Sequence, residues 1–319
     1  MAGESLAVGV IGFGRVGAAF ASALHAAGHP VAAVAARSEA AKERADVALP
    51  GVPVLTPAAV VEAAGLVFVT VPDDAIALTV AGLDGHWRPG QVVVHASGAL
   101  GLDALAPAAA VGAITLVLHP AMTFTGTSLD VARLRGAPFA VSAPAGLDPL
   151  AVALAQEMGG LPFTLSDDRR ALYHAALCHA ANHLVTLVSQ ARDMLAAAGL
   201  DDAEFVLGPL TRAALDGALR RGFEALTGPA ARGDAATLAA HAEALRGYAA
   251  ARGALLEGPV ALGDEAQAAL DAVATYAALS RATVDGAERA GRIGAEAARQ
   301  ARDAIEHLAP PGQEGRNHG

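Results

Sequence analysis

The residues Gly12-Phe13-Gly14-Arg15-Val16-Gly17 form a complete G-x-G-x-x-G motif. In this spacing the first glycine makes a tight turn. The second lets backbone approach a pyrophosphate, and the third lets a helix pack closely on a strand. A helix that starts within the motif aims N–H groups and partial positive charge at the phosphates. About twenty residues on, where a carboxylate would bind a ribose 2′-hydroxyl, the chain has Ala35-Ala36-Arg37-Ser38. A guanidinium and a hydroxyl suit a 2′-phosphate, so the expected cofactor is NADP(H).

Further polar residues fall where strands are expected to end. Val71-Pro72-Asp73 would turn the chain beside the cofactor ribose, and Ser97 and Gly98, after His95, would bond oxygens near the nicotinamide. His119 stands at the end of another apolar run. In the second half, His174, Cys178 and Asn182 are spaced i, i+4, i+8 and share one helical face, expected to look into an interdomain cleft. His179 and His183 are also four apart, but a third metal ligand is not evident and no metal site is expected. Arg232, in a Gly/Pro-bearing loop, could clamp a carboxylate. Alternatively it pairs with Asp234 at a helix start.

These residues need a scaffold. Short apolar runs at 6–11, 31–36, 52–55, 66–71, 91–95, 114–118, 138–142 and 161–165 alternate with helix-like stretches. That alternation predicts an α/β fold: an N-terminal doubly wound, parallel Rossmann domain over 1–166. Beyond it an all-α C-terminal domain is predicted over 167–308, with a disordered tail at 309–319. One long helix is expected over 168–198, then helical segments at 202–222, 234–252 and 264–307, with Gly208-Pro209 breaking the first of these.

The 319 residues are 54% hydrophobic and 17% charged, a globular balance. A formal net charge of -10 argues against nucleic-acid binding. The single cysteine, Cys178, excludes an intrachain disulfide. The apolar run at 6–11 is too short for a signal or a membrane span, so a cytoplasmic protein is expected. Lys42 is the sole lysine, so any lysine-dependent chemistry must use it.

The stretches GFGRVG, VPDDAI, HASGALG, HPAMTF, YHAALCHAANHLV and ALTGPAARGD resemble a family of Rossmann-like oxidoreductases with an all-helical C-terminal domain of unknown function. In plan the family is similar to 6-phosphogluconate dehydrogenase, ketopantoate reductase and pyrroline-5-carboxylate reductase. The resemblance implies an NADP-dependent enzyme, dimerising through its helical domain and reducing a small anionic substrate, first a 2-oxoacid of ketopantoate type. Ser97 and Arg232 would hold the carboxylate, and Asn182 would orient the carbonyl. Relatives place a lysine on the helix opening the second domain; this chain has none there. The proton then falls to His174, or to His119, because imidazole titrates near working pH. An imine reductase of pyrroline-5-carboxylate reductase type is the alternative, and a non-catalytic dinucleotide-binding protein the third.

Overall fold

The computed structural model describes residues 6–253, 263–306 and Leu308. The tail expected at 309–319, and His307, lie outside the described residues. The chain divides into two compact units, Met1–Ala180 and Ala181–Gly319. No helix among the described residues is long and apolar enough to cross a membrane.

The first unit runs β1 (Val8–Ile11), α1 (Arg15–Ala26), β2 (Val31–Ala35), α2 (Glu39–Ala48), α3 (Pro57–Ala63), β3 (Leu66–Val69) and α4 (Asp73–Ala81). It continues through β4 (Val92–His95), α5 (Ala106–Ala110), β5 (Ile114–Pro120), α6 (Leu129–Leu134), β6 (Pro138–Ser142), α7 (Asp148–Glu157) and β7 (Leu161–Thr164). One seven-stranded sheet has the order β2-β1-β3-β4-β5-β6-β7. Strands β1 to β5 are mutually parallel, the expected doubly wound arrangement. The order reverses at β1, between β2 and β3, and ligands of such sheets bind at the carboxyl ends there.

Both faces of the sheet are covered, so its strands are apolar on both sides. Val8, Val10, Phe68, Val94 and Leu116 face one core with Phe20, Leu24 and Phe139. Ile11, Val67, Val69 and Val93 face the other, against α3, α4 and Leu105. The run at 52–55 is reduced to a single bridge, Val54 to Val34. Pro53 lacks an N–H, so this segment contributes only its carbonyl and the Leu55 N–H to Val34.

Strand β6 runs antiparallel to β5, and β7 parallel to β6. The connection from β5 to β6 therefore stays at the carboxyl end of the sheet. Its loop is knotted by Asp130, 1% exposed, which accepts bonds from Thr125 N (3.0 Å), Thr125 Oγ1 (2.8 Å) and Gly126 N (2.7 Å). The knot holds this loop in place at the end of the sheet where the dinucleotide motif opens.

Helix α8 (Arg170–Ala197) carries the chain from the first unit into the second. Then follow α9 (Ala203–Arg221), α10 (Pro229–Arg232), α11 (Ala235–Ala251), α12 (Asp264–Arg289) and α13 (Ala295–Glu306). The second core is built from Leu238, Ala242, Leu245 and Ala249 of α11 at helical spacing, with Val273, Val284, Ala301 and Ile305. Two expectations change here. Helix α9 continues through Pro209. The carbonyl that loses its partner is that of Phe205, whose residue is 78% exposed, so water can satisfy it. The segment from 264 onward is two helices. Gly291 (φ 68°) ends α12 in a Schellman turn, with Gly291 N bonded to Glu288 O (2.9 Å) and Arg292 N to Ala287 O (2.9 Å).

The packing of α1 on the sheet gives a direct test. A Cβ on Gly17 would lie 2.5 Å from Thr70 Oγ1 and 2.7 Å from the Gly12 carbonyl oxygen. Gly17→Ala is expected to destabilise the first unit by about 2 kcal/mol, read as a lowered Tm; an unchanged Tm would show that α1 has room to move away.

Candidate active site

The glycine motif folds as a turn tied to β2: the Gly12 and Phe13 N–H groups donate to Ala35 O at 3.0 and 3.2 Å. Gly12 has φ 91° and abuts Val71, so a side chain is excluded there on both counts. Gly14 differs, because a Cβ built on it meets nothing within 4 Å. It precedes α1, which has no side-chain cap and no acidic residue in its first turn. Open space in front of uncommitted N–H groups fits a pyrophosphate. Phe13 is 1% exposed, so only its backbone can face a ligand. Arg15 is exposed with its stem beside Gly126 in the knotted loop, and Val16 is half-buried. Arg37 is exposed just beyond β2, and Ser38 caps α2 by accepting from Ala41 N at 3.3 Å. Arg44, which no motif singled out, donates from Nη1 to Phe13 O at 3.3 Å and braces the turn. Lys42 is paired with Glu39 at 2.6 Å.

At the end of β4 the chain makes a tight, fully bonded turn. His95 Nδ1 accepts from Ser97 N (3.2 Å), which places its hydrogen on Nε2, facing Gly101 O at 3.0 Å. Ser97 is 3% exposed. Its hydroxyl donates to Asp73 at 2.5 Å and accepts from Ala99 N (3.2 Å) and Leu100 N (3.1 Å). Asp73 opens α4 after Pro72, and its carboxylate thus sits at a helix N-terminus where negative charge is favoured. The turn closes on Asp167, which accepts from Leu102 N at 2.7 Å.

Beneath this turn lies Arg170, the first residue of α8 and 0% exposed. Nε and Nη2 donate to Ser142 Oγ at 2.9 and 2.8 Å. Nη1 and Nη2 reach the Ser97 and Ala140 carbonyls, each at 3.4 Å. Asp167 stands 3.5 Å away. Ser142 in turn donates to Leu165 O at 2.5 Å.

The next turn of α8 carries the reactive cluster. Tyr173 and His119 are joined, Oη to Nδ1, at 3.0 Å. Their rings meet edge-on, and His119 makes a similar contact with His174. Phe163 of β7 lies against the other side of Tyr173. Gly98 makes the convergence possible: a Cβ there would lie 2.7 Å from His174 Cδ2 and 2.8 Å from His119 Nε2. Cys178 Sγ is 3.7 Å from His174 Nε2, one turn further on. Burial, aided by the Arg170 cation, pushes His119 down to about 4, so its imidazole is neutral at physiological pH. His95 is likewise pushed down to about 4, chiefly by burial. Burial raises Tyr173, with Arg170 opposing it.

The structure thus brings together His119, His174, Gly98, Ser97 and Asp73, and adds Tyr173 and Arg170, which the sequence did not single out. Asn182 and Arg232 belong to the second unit. Asn182 is exposed on α8, and its carbonyl accepts from Thr186 Oγ1 at 3.2 Å. Arg232 is exposed at the end of α10, and Asp234 caps α11 through Thr237 N (3.1 Å).

Comparison with known proteins adds a frame. Residues 1–120 match the model of a Rossmann-like domain, and residues 137–283 that of a domain of unknown function, DUF2520. The chain is a Rossmann-like domain joined to a DUF2520 domain. His119 comes from the first match and Arg170, Tyr173 and His174 from the second, so the cluster needs both. No curated protein matches the chain. Among solved structures, a provisionally named NADP oxidoreductase from Bacteroides fragilis superposes with a TM-score of 0.70 at 22% identity, over 88% of this chain and 99% of its own. A Thermotoga maritima protein gives 0.56 at 21%, over 87% and 98%. A reductive aminase from Aspergillus terreus, in complex with NADPH and ethyl-5-oxohexanoate, gives 0.55 at 18%, over 95% and 93%. At these identities the likeness shows a shared fold.

The neutral histidines set an acid limit. Each has a folded-state value near 4 against an ordinary 6.5, so the unfolded chain takes up their protons first as pH falls. Their contribution to stability is complete above pH 6.5 and is lost between 6.5 and 4. Thermal melting is expected to hold Tm level from neutrality down to that window and then drop steeply. A level Tm through it would mean that the folded and unfolded chains take up these protons alike, and that the imidazoles are not held neutral by the fold.

Proposed function

We propose that this chain is an NADP(H)-dependent oxidoreductase that reduces a carbonyl or imine group of a small molecule. One observation carries the reading: the Tyr173–His119 pair, with His174 over Gly98, sits at the carboxyl ends of the same parallel strands whose glycine turn fits a pyrophosphate. The named NADP oxidoreductase and the NADPH-bound reductive aminase that share this fold support the cofactor and the reaction class. Arg37 and Ser38 would hold the 2′-phosphate, Gly14 and Arg15 the pyrophosphate, and Val71, Pro72 and Asp73 the ribose side.

Bound there, NADPH supplies a hydride to the substrate carbon. A ketone then needs one proton at its oxygen, as does the nitrogen of an imine that binds unprotonated. Tyr173 is placed to give it, since burial keeps its phenol protonated. A neutral His119 with its hydrogen on Nδ1 donates to the Tyr173 oxygen. That leaves the phenolic hydrogen free to face the substrate and supports the phenolate left behind. Solvent returns the proton afterwards. His174 lines the same space.

A 2-oxoacid of ketopantoate type is the first substrate reading. A cyclic imine is the second, and two observations favour it. Ser97, asked by the first reading to bind a carboxylate, has its hydroxyl committed to Asp73 and two N–H groups. The cluster also holds a neutral imidazole where a ketone would profit from a cationic acid, whereas an iminium ion brings its own proton. In the second unit, Val185, Leu187, Phe205, Leu210 and Leu219 are exposed on α8 and α9, which supports a homodimer formed through these helices.

Turnover of a panel of 2-oxoacids and cyclic imines with NADPH tests the reading. Tyr173→Phe is expected to lower turnover about 100-fold or more while NADPH affinity stays within about twofold; undiminished turnover removes Tyr173 from the chemistry. Arg37→Glu is expected to weaken NADPH far more than NADH, and an equal loss for both would show that Arg37 does not hold the phosphate.

A further inference from the structure

Two tyrosine–histidine pairs occur in this protein. Tyr173 meets His119 Nδ1 at 3.0 Å in the first unit, and Tyr276 meets His241 Nδ1 at 2.7 Å in the second. Both phenols are half-buried and both ring pairs are edge-on. They differ in what stands behind them. Tyr173 is one helical turn from Arg170, whose guanidinium is wholly out of water. Three of Arg170's partners are neutral oxygens: Ser142 Oγ and the Ser97 and Ala140 carbonyls. Its one carboxylate, Asp167, is partly solvated at 3.5 Å and already accepts from Leu102 N. A buried cation with so little neutralisation projects its charge onto its neighbours, because water does not screen it.

We propose that Arg170 is a positioning residue whose buried positive charge stabilises the phenolate that Tyr173 becomes on giving up its proton. This rests on Tyr173 being the proton donor, as argued above. Arg170 touches neither cofactor nor substrate; it acts through Tyr173. A lysine at the start of this helix would be a proton donor in its own right. Here the fixed cation and the acid are separate residues, at positions i and i+3. The other groups near Tyr173 do not replace it. His119 on β5 is neutral and His174 is on the same helix, Asp73 and His95 act on His119, and the Asp73 and Asp167 carboxylates carry the wrong sign to stabilise a phenolate.

Ultraviolet difference titration of the full-length protein tests this without any turnover, so it stands apart from the substrate assays. The chain has three tyrosines, and Tyr173→Phe and Tyr276→Phe assign their signals by subtraction. In the wild type Tyr173 is expected to ionise at lower pH than Tyr276, and the reverse order would overturn the proposal. Arg170→Met is expected to raise the Tyr173 midpoint by about one pH unit or more and leave Tyr276 in place, while Arg170→Lys keeps most of the wild-type value. An unmoved Tyr173 midpoint in a folded Arg170→Met protein would also overturn it. If that variant does not fold, the wild-type comparison of the two tyrosines decides alone. A proton-donor role without the electrostatic link would appear as lost turnover in Tyr173→Phe with no such difference in titration.

Discussion

Burying the Arg170 guanidinium is the constraint from which the site follows. A charge removed from water must find its hydrogen bonds inside, or the fold loses several kcal/mol. Arg170 finds them on three separate pieces of chain: the Ser97 carbonyl after β4, Ala140 and Ser142 on β6, and Asp167 just before α8. Satisfying one side chain therefore fixes the turn after β4 and the first turn of α8 against the sheet. Every group in the reactive cluster hangs on one of these or on β5 beside them. The antiparallel β6 matters for the same reason, since it brings Ser142 beneath the helix start.

Around that charge the polar groups find their partners within the protein. His95 has both ring nitrogens bonded to backbone and contributes shape. Ser97 has its hydroxyl claimed three times. What stays available for chemistry is the Tyr173–His119 pair, His174 and the open ground before Gly14. Glycine sets these spaces by two different means. Gly98 is small so that two imidazoles can approach the same backbone, and Gly14 is small so that a ligand can. The result is a neutral Tyr173–His119 pair with a cation held behind it.

The motif-bearing parts of this arrangement were legible from the residues alone. The strand–turn–helix at Gly12 to Gly17, the absence of a carboxylate at Arg37 and the polar ends of the strands at Asp73, Ser97 and His119 follow from spacing and residue type. Arg170 did not, because an arginine in Asp167-Asp168-Arg169-Arg170 reads as one of several solvated charges, and nothing local says that it turns inward. Tyr173 was hidden by its neighbour. The i, i+4, i+8 series of His174, Cys178 and Asn182 draws attention to one helical face, whereas the contact with His119 comes from the adjacent residue and a strand more than fifty positions earlier. The lost strand at Val54 and the unbroken helix through Pro209 show proline overriding pattern in one case and solvent rescuing it in the other.

The most direct test of the account is a crystal structure of the protein with NADP bound. The account predicts the pyrophosphate on the backbone at Gly14, the 2′-phosphate against Arg37 and Ser38, and the nicotinamide ring facing the Tyr173 hydroxyl across Gly98. A cofactor bound with its nicotinamide turned away from Tyr173 and His119 would contradict it, as would a glycine turn that holds no cofactor at saturating concentration.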